Sequence, residues 1–286
     1  MANLKEIRNR INSIGSTMQI TSAMKMVSAA KLKKAQDAIT QMRPYANKLT
    51  ALLQSLSTAM DGEVGGTYAE QRAVSKVLLV VITSNRGLCG GFNSAVIKTA
   101  ATRADQYYQG KQVDLLTIGK KGNDILSKSF TVIDNKNAIF DDLTFDNTAL
   151  IAEEITALFA GGDYDKIELV YNRFKNAATQ LPTVETFLPI VPVDNAANVQ
   201  TDYLFEPSKE EIVMALIPKS LKTQLYKAIR DSFAAEHGAR MTAMHKATDN
   251  ATELRDDLLL TYNKARQAAI TNEILEIVGG AEALNN

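Results

Sequence analysis

The first 56 residues carry a hydrophobic repeat that only a long paired helix satisfies. Stepping alternately by three and four from Leu4 meets Ile7, Ile11, Ile14, Met18, Thr21, Lys25, Ser28, Leu32, Ala35, Ile39, Met42, Ala46, Leu49, Leu53 and Leu56. Sustained over about seven heptads, this 3.5-residue period is the seam of a coiled coil. It falters at Thr21, Lys25 and Ser28, where the apolar residues move to Ile20, Met24, Met26 and Val27 on other faces. A second partner touching the helix near residues 20–30 explains that shift; a pair of helices alone does not. Pro44 can kink this helix without ending it. At 1.5 Å per residue, the segment makes a helix roughly 80 Å long.

A matching segment closes the sequence. Ser208 is a good N-cap, with Lys209-Glu210-Glu211 opening the first turn. Pro218 is expected to interrupt this helix, and a second run continues to about Val278, where Gly279-Gly280 are expected to stop it. Leu254, Leu258, Thr261, Ala265, Ala268, Asn272 and Leu275 again step by four and three. Two long seams at opposite ends of one chain most simply wind around each other, antiparallel.

Between them the period changes. Val77-Leu78-Leu79-Val80-Val81-Ile82 is a continuous, β-branched apolar run, as in a strand covered on both faces. Strands are expected at 113–118, 130–133, 167–174 and 184–188, with helical stretches at 93–108, 120–126 and 148–159. The alternation describes a small, largely parallel, Rossmann-like α/β sheet. The expected fold class is α plus α/β: a long antiparallel two-helix coiled coil, residues 1–60 paired with 208–282, around a globular domain at 72–192.

Charge is uneven along a chain whose net charge is zero. Residues 1–50 hold nine Lys/Arg against two Asp/Glu, while residues 209–286 hold ten against eleven. A basic N-terminal arm suits an acidic partner, although on charge alone a solvated helix face is the better reading. Nucleic acid is a poor partner, because the seam commits one face to a helix and no aromatics are interleaved among the basic residues. No apolar stretch is long enough to span a bilayer, so membrane association must run through partners. Met1–Arg10 is charged and lacks the apolar core of a secretory signal. A single cysteine, Cys89, rules out an internal disulfide and fits a reducing compartment.

The turn Gly87-Leu88-Cys89-Gly90-Gly91 follows a strand and precedes a helix, where phosphate loops sit. It matches neither G-x-G-x-x-G nor the Walker pattern, and no lysine follows the glycines. A tight turn with close backbone packing accounts for it. Cys89 at a helix N-terminus could act as a nucleophile, but it has no base nearby in sequence and reads as a buried structural thiol. His237 and His245 lack a third ligand for a metal. No catalytic constellation and no cofactor site is expected. An enzyme built on the α/β domain and a coiled-coil scaffold for another partner are the competing readings.

Longer words of the sequence carry a resemblance. Leu4-Lys5-Glu6-Ile7-Arg8, the stretch from Gln19 to Lys31, Asn85-Arg86-Gly87-Leu88-Cys89-Gly90-Gly91-Phe92-Asn93, Glu236-His237-Gly238-Ala239-Arg240-Met241, Ala247-Thr248-Asp249-Asn250-Ala251 and Ile270-Thr271-Asn272-Glu273-Ile274-Leu275-Glu276 resemble the γ subunits of F-type ATP synthases over essentially the whole chain. Asn85 stands where that family often has Asp, and Gly238 where it often has Ala. The regulatory segment with paired cysteines of plastid members is missing, which implies a bacterial type. The resemblance implies a central rotor stalk without catalytic residues. Its partners would be the α and β subunits of the catalytic head, the ε subunit and the membrane ring of c subunits, at the cytoplasmic face of the bacterial plasma membrane. Ile20, Met24, Lys25, Val27, Lys31, Arg240, Arg266, Gln267, Thr271 and Glu273 would face the ring of α and β subunits. Gly87, Cys89, Gly90 and Gly91 would form the structural turn.

Overall fold

The computed structural model describes residues 4–58, 66–190 and 208–284. The expected boundaries at residues 60 and 192 lie outside these residues, as do the side chains of Leu53 and Leu56. Two helices dominate, α1 (Leu4–Thr58) and α5 (Lys209–Leu284). The described chain falls into two compact units, residues 1–28 with 241–286, and residues 29–240.

The first unit is a two-helix seam. Ile7, Thr21 and Ser28 are buried on α1, and Met244 and Ala251 on α5. Cross-helix contacts mark an antiparallel register: Lys25 to His245, Thr21 to Thr248, Met18 to Thr252 and Arg8 to Tyr262. The α1 seam runs through Thr21 and Ser28, while Ile20, Met26 and Val27 lie outside it. Small hydroxyl residues occupy it there: the Thr21 and Thr248 hydroxyls lie 2.8 Å apart, and Ser28 Oγ donates to the Met24 carbonyl at 2.7 Å. The phase on α5 also differs. Leu258 and Ala265 lie in the seam, but Leu254 and Thr261 face out, and Met244, Thr248, Ala251, Arg255 and Tyr262 take the remaining positions. Past Ala265, α5 runs beyond Leu4, the first described residue of α1, so that among the described residues no helix lies opposite Ala268, Asn272 and Leu275, which are exposed.

Both interior prolines and the terminal glycines are absorbed into helix. Pro218 denies a bond to the Met214 carbonyl, but Met214 is exposed and water can replace it. Gly279 and Gly280 keep negative φ, whereas a capping glycine needs the left-handed region, and the helix runs on to Leu284. At its start, Ser208 Oγ accepts from Glu211 N at 3.2 Å, the N-cap read from sequence.

The second unit holds a five-stranded sheet in the order β3-β2-β1-β4-β5. The strands are β1 (Lys76–Ile82), β2 (Gln112–Ile118), β3 (Thr131–Asn135), β4 (Lys166–Phe174) and β5 (Gln180–Leu188). All neighbours are parallel except the β4–β5 hairpin. Val77 to Ile82 are fully buried because both faces are covered. Leu78, Val80 and Ile82 meet α4 (Phe145–Ala160) and the Ile217–Ile229 stretch of α5. Val77, Leu79 and Val81 meet α2 (Phe92–Thr102), and the same core takes in Leu126 of α3 (Lys120–Leu126). The helix expected to reach Tyr108 changes to a π turn at Arg103–Tyr107. That turn carries Arg103 to the buried Glu168 on β4 through two 2.7 Å bonds. Burial acts to raise the Glu168 pKa, and the bonds from Arg103 and its neighbours bring it below the ordinary range.

Gly119 closes β2 against the end of β1. Its φ is +119°, and an added Cβ would lie 2.3 Å from the Thr83 carbonyl oxygen. The same approach lets Thr83 Oγ1 accept from Gly122 N at 2.9 Å. Gly119→Ala is therefore expected to destabilise the chain by roughly 2–4 kcal/mol through strain and collision with backbone. Urea unfolding within about 0.5 kcal/mol of wild type would show that this crossing is not rigid.

Candidate functional site

In an open α/β sheet, ligands enter the crevice where strand order reverses, beyond the carboxyl ends of the strands. Here the reversal lies at β1, which has β2 on one side and β4 on the other. The turn after β1, Thr83–Gly91, is held by its own polar groups. Ser84 N donates to Asn93 Oδ1 at 3.0 Å, Asn93 Nδ2 donates to Ser84 Oγ at 2.8 Å, and Ser84 Oγ lies 2.7 Å from the Arg86 carbonyl. Asn85 Oδ1 accepts from Lys120 N at 3.0 Å while its Nδ2 donates to the Asn137 carbonyl at 2.9 Å. An aspartate could make only the first of these bonds, which gives Asn85 a reason. Leu88 and Gly90 adopt positive φ, 61° and 59°, and the Leu88 side chain is 66% exposed.

Helix α5 fills the crevice. Ala235 and Ala239 pack on Cys89 and Phe92. Gly238 lets the helix approach the β4–β5 hairpin so closely that a Cβ would lie 3.1 Å from Ala177 Cα. Arg240 then clamps the turn. Its Nη2 donates to the Arg86 carbonyl at 2.9 Å and the Gly87 carbonyl at 3.3 Å, and its Nη1 donates to Glu236 Oε1 at 2.6 Å. The remaining Nη1 direction meets His237 Nδ1 at 3.3 Å. Arg240 was expected at a partner interface; it is 7% exposed and spent inside its own chain. Sequence spacing alone could have offered Glu236 as its i,i+4 partner, but the carbonyls of residues 86 and 87 were not legible.

These buried groups have shifted protonation equilibria. Burial raises the Glu236 pKa despite the opposing Arg240 charge. Burial, together with the Arg240 and Lys31 charges, lowers His237 to about 3. Cys89 is 2% exposed, and burial raises its thiol pKa. Its Sγ is met by Asn93 Nδ2 at 3.3 Å. Burial and the raised pKa both disfavour the thiolate that nucleophilic chemistry requires.

The other expected interface residues form two separate groups in the first unit. Ile20 and Val27 are 59% and 56% exposed, beside half-buried Met24 and Lys25. Arg266, Gln267, Thr271 and Glu273 are exposed about 21 to 28 residues beyond the Lys25–His245 level of α5, roughly 30–40 Å along the helix. Lys31 is exposed in the second unit. A shallow cavity of about 560 Å³ lies between Lys98, Arg103, Tyr107 and Val184, but its guanidinium is committed to Glu168. Among the described residues no helix is long and apolar enough to cross a membrane.

The fold is thus a paired-helix protein with a doubly wound sheet whose ligand crevice is occupied by its own C-terminal helix. A family model described as ATP synthase matches residues 3–284. The ATP synthase gamma chains of Flavobacterium psychrophilum and Flavobacterium johnsoniae are 72% and 73% identical to it, covering 99% and 100% of both chains. A chain from the central stalk and c-ring structure of the Tetrahymena thermophila mitochondrial ATP synthase is 27% identical, with a TM-score of 0.61, covering 80% of this chain and 99% of that one. A Euglena gracilis mitochondrial ATP synthase rotor chain shares the fold at 22% identity and a TM-score of 0.65, covering 93% of this chain and 98% of that one. The chain belongs to the ATP synthase gamma chain family.

Replacing Arg240 by Met leaves Glu236 buried without its counter-charge, an expected loss of about 3–5 kcal/mol near neutral pH. The carboxyl pKa, already raised in the folded chain, rises further in the variant. Its stability is therefore best below the ordinary carboxyl value of 4.5 and falls as pH rises above it. Adding Glu236→Gln to Arg240→Met is expected to recover part of the loss and flatten the pH profile. Chemical denaturation of the three chains between pH 4 and 8 on the order of one-unit steps tests this; a pH-independent loss would mean that Glu236 is not the group left unpaired.

Proposed function

We propose that this chain is the central rotor shaft of an F-type ATP synthase, coupling ion flow through a membrane ring to the conformational cycle of catalytic β subunits. Residues 1–60 and 208–282 form the shaft, and residues 72–192 form the α/β domain that meets the ε subunit and the c ring. The chain contributes no catalytic residue; ATP chemistry belongs to the β subunits. It sits peripherally at the cytoplasmic face of the bacterial plasma membrane, held there through its partners.

The observation that carries this reading is the stretch of α5 beyond the end of its helix partner. Ile270, Ile274, Leu275, Ile277 and Val278 are 48–66% exposed there, in a chain of the ATP synthase gamma family. An apolar stripe of this length has no solvent role and is what an enclosing partner covers. The filled crevice supports the non-catalytic part, because the place where this sheet type binds ligands is taken by Ala235, Gly238 and Ala239. The off-seam apolar residues near Ile20 and the exposed Arg266 and Gln267 supply two levels of contact with the surrounding α and β subunits.

Co-purification with α and β subunits from washed membranes is the direct test; recovery of the chain alone would remove the reading. Changing Arg266 and Gln267 together to Ala is expected to lower coupled ATP turnover several-fold while leaving the chain in the complex. A guanidinium meeting a partner carboxylate contributes about 1.5–3 kcal/mol per charge-assisted bond, and the two helices provide many other contacts for assembly. Gel filtration and ATP hydrolysis on the same sample separate the outcomes. Full turnover would sink the torque role, and loss of the chain would make these residues assembly anchors.

A further inference from the structure

The chain has two histidines, and α5 places them in opposite surroundings. His237 is 5% exposed, is met through Nδ1 by the Arg240 guanidinium, and stays neutral because burial and neighbouring cations hold its pKa down to about 3. The His245 side chain is 56% exposed. Its Nδ1 lies 3.4 Å from Lys25 Nζ on α1 and 3.3 Å from Asp249 Oδ2 one turn along α5. One ring nitrogen cannot serve both neighbours at once. Toward the Lys25 ammonium it must offer a lone pair, and toward the Asp249 carboxylate it must offer a proton.

We propose that protonation of His245 exchanges its Nδ1 between a cross-helix bond from Lys25 and an ion pair with Asp249 on its own helix, which makes this level of the α1–α5 pair a proton-responsive link. In the neutral ring the proton sits on Nε2 and the Nδ1 lone pair accepts from Lys25, tying the helices together. A proton taken from solvent onto Nδ1 makes the ring a cation. The Lys25 ammonium then loses its acceptor and is repelled, while Asp249 gains a donor. The charged groups facing the ring are Lys25 from α1 and Asp249 from α5, with Lys246 next in sequence.

The rest of the seam around this level, the Thr21–Thr248 hydroxyl pair with buried Ser28 and Met244, carries no charge and is the same in both states. The exchange therefore loosens one cross-helix contact beside the exposed Ile20, Met26 and Val27 without opening the seam. That this would adjust how a shaft meets its surroundings rests on the proposed function; the exchange itself does not.

Histidine-selective isotope labelling of the full chain tests it, because only two ring signals exist and His237 is a flat internal reference. Substitution His245→Gln assigns the moving signal. Asp249→Asn is expected to move the His245 transition to lower pH and Lys25→Met to higher pH, each by about 0.2–0.7 pH unit, the range that exposed ion pairs support. Nuclear Overhauser contacts between the Lys25 side chain and the His245 ring are expected above the transition and lost below it. Contacts that persist below the transition, or a transition that neither substitution moves, overturn the exchange. Both variants change exposed or half-exposed side chains, and an unchanged helical thermal melt of the full chain shows that each is folded. Failure of the rotor reading would show as loss of co-purification and leaves these spectra untouched.

Discussion

The Arg240 guanidinium is the contact on which the second unit turns. A helix can lie over the carboxyl end of a parallel sheet only if the free backbone groups of the turns beneath it are satisfied. Arg240 does this from above by bonding the carbonyls of Arg86 and Gly87. Its charge is in turn balanced by Glu236 one helical turn earlier. A buried pair of this kind gains little net stability over an apolar one, but it fixes geometry, because losing either partner strands the other. Ala235 and Ala239 bring the helix close enough for the clamp to form, and Cys89 and Phe92 fill what remains. A crevice that could have held a ligand thereby becomes a joint between a long helix and a sheet.

How much of this could be read from the chain depends on how local the cause is. The α1 seam from Ile7 to Leu49 and the buried run Val77–Ile82 were legible, because burial on a fixed period is a property of the residues themselves. The α5 phase was not. Leu254 and Leu258 fit a seam equally well in sequence, and only the register against α1 puts Leu258 inward and Leu254 at 51% exposure. Pro218 and Gly279-Gly280 misled for a related reason. Local propensity penalises each by a few kcal/mol at most, about 3 for proline and 1 for glycine, and a helix of 76 residues anchored elsewhere absorbs that. The resemblance put Arg240 among the partner-interface residues, and its internal role was not legible because its acceptors lie more than 150 residues away in the chain.

The polar stretch of the seam illustrates the same limit from the other side. Thr21, Lys25 and Ser28 are the polar positions at which the hydrophobic repeat falters, and Thr21 and Ser28 are among the buried residues of the seam. Short hydroxyl side chains allow close helix approach and satisfy themselves, Thr21 against Thr248 and Ser28 on the Met24 carbonyl. The apolar side chains displaced to Ile20, Met26 and Val27 are then left outside, each more than half exposed. A seam that needed only to hold two helices together would reverse this arrangement, with the apolar groups in and the hydroxyls out. The distribution therefore trades pairing strength for an apolar outer face at one level of the first unit.

Gly238 shows that such trades extend to the backbone. A glycine in the middle of a long helix costs up to about 1 kcal/mol relative to alanine. The cost here is offset by proximity: the hairpin turn at Ala177 sits where a methyl group would go, 3.1 Å from its Cα and 3.3 Å from its carbonyl oxygen. That turn is closed by reciprocal bonds between Asn176 and Thr179 and braced by the Asn176 side chain, so it has little freedom to withdraw. Alanine here would require the hairpin to give by a few tenths of an ångström, a displacement on the scale that close-packed interiors register. The helix–hairpin spacing is thus set by one missing methyl group, and the Arg240 clamp lies half a turn further along the same helix, where that spacing decides whether its bonds to Arg86 and Gly87 can close.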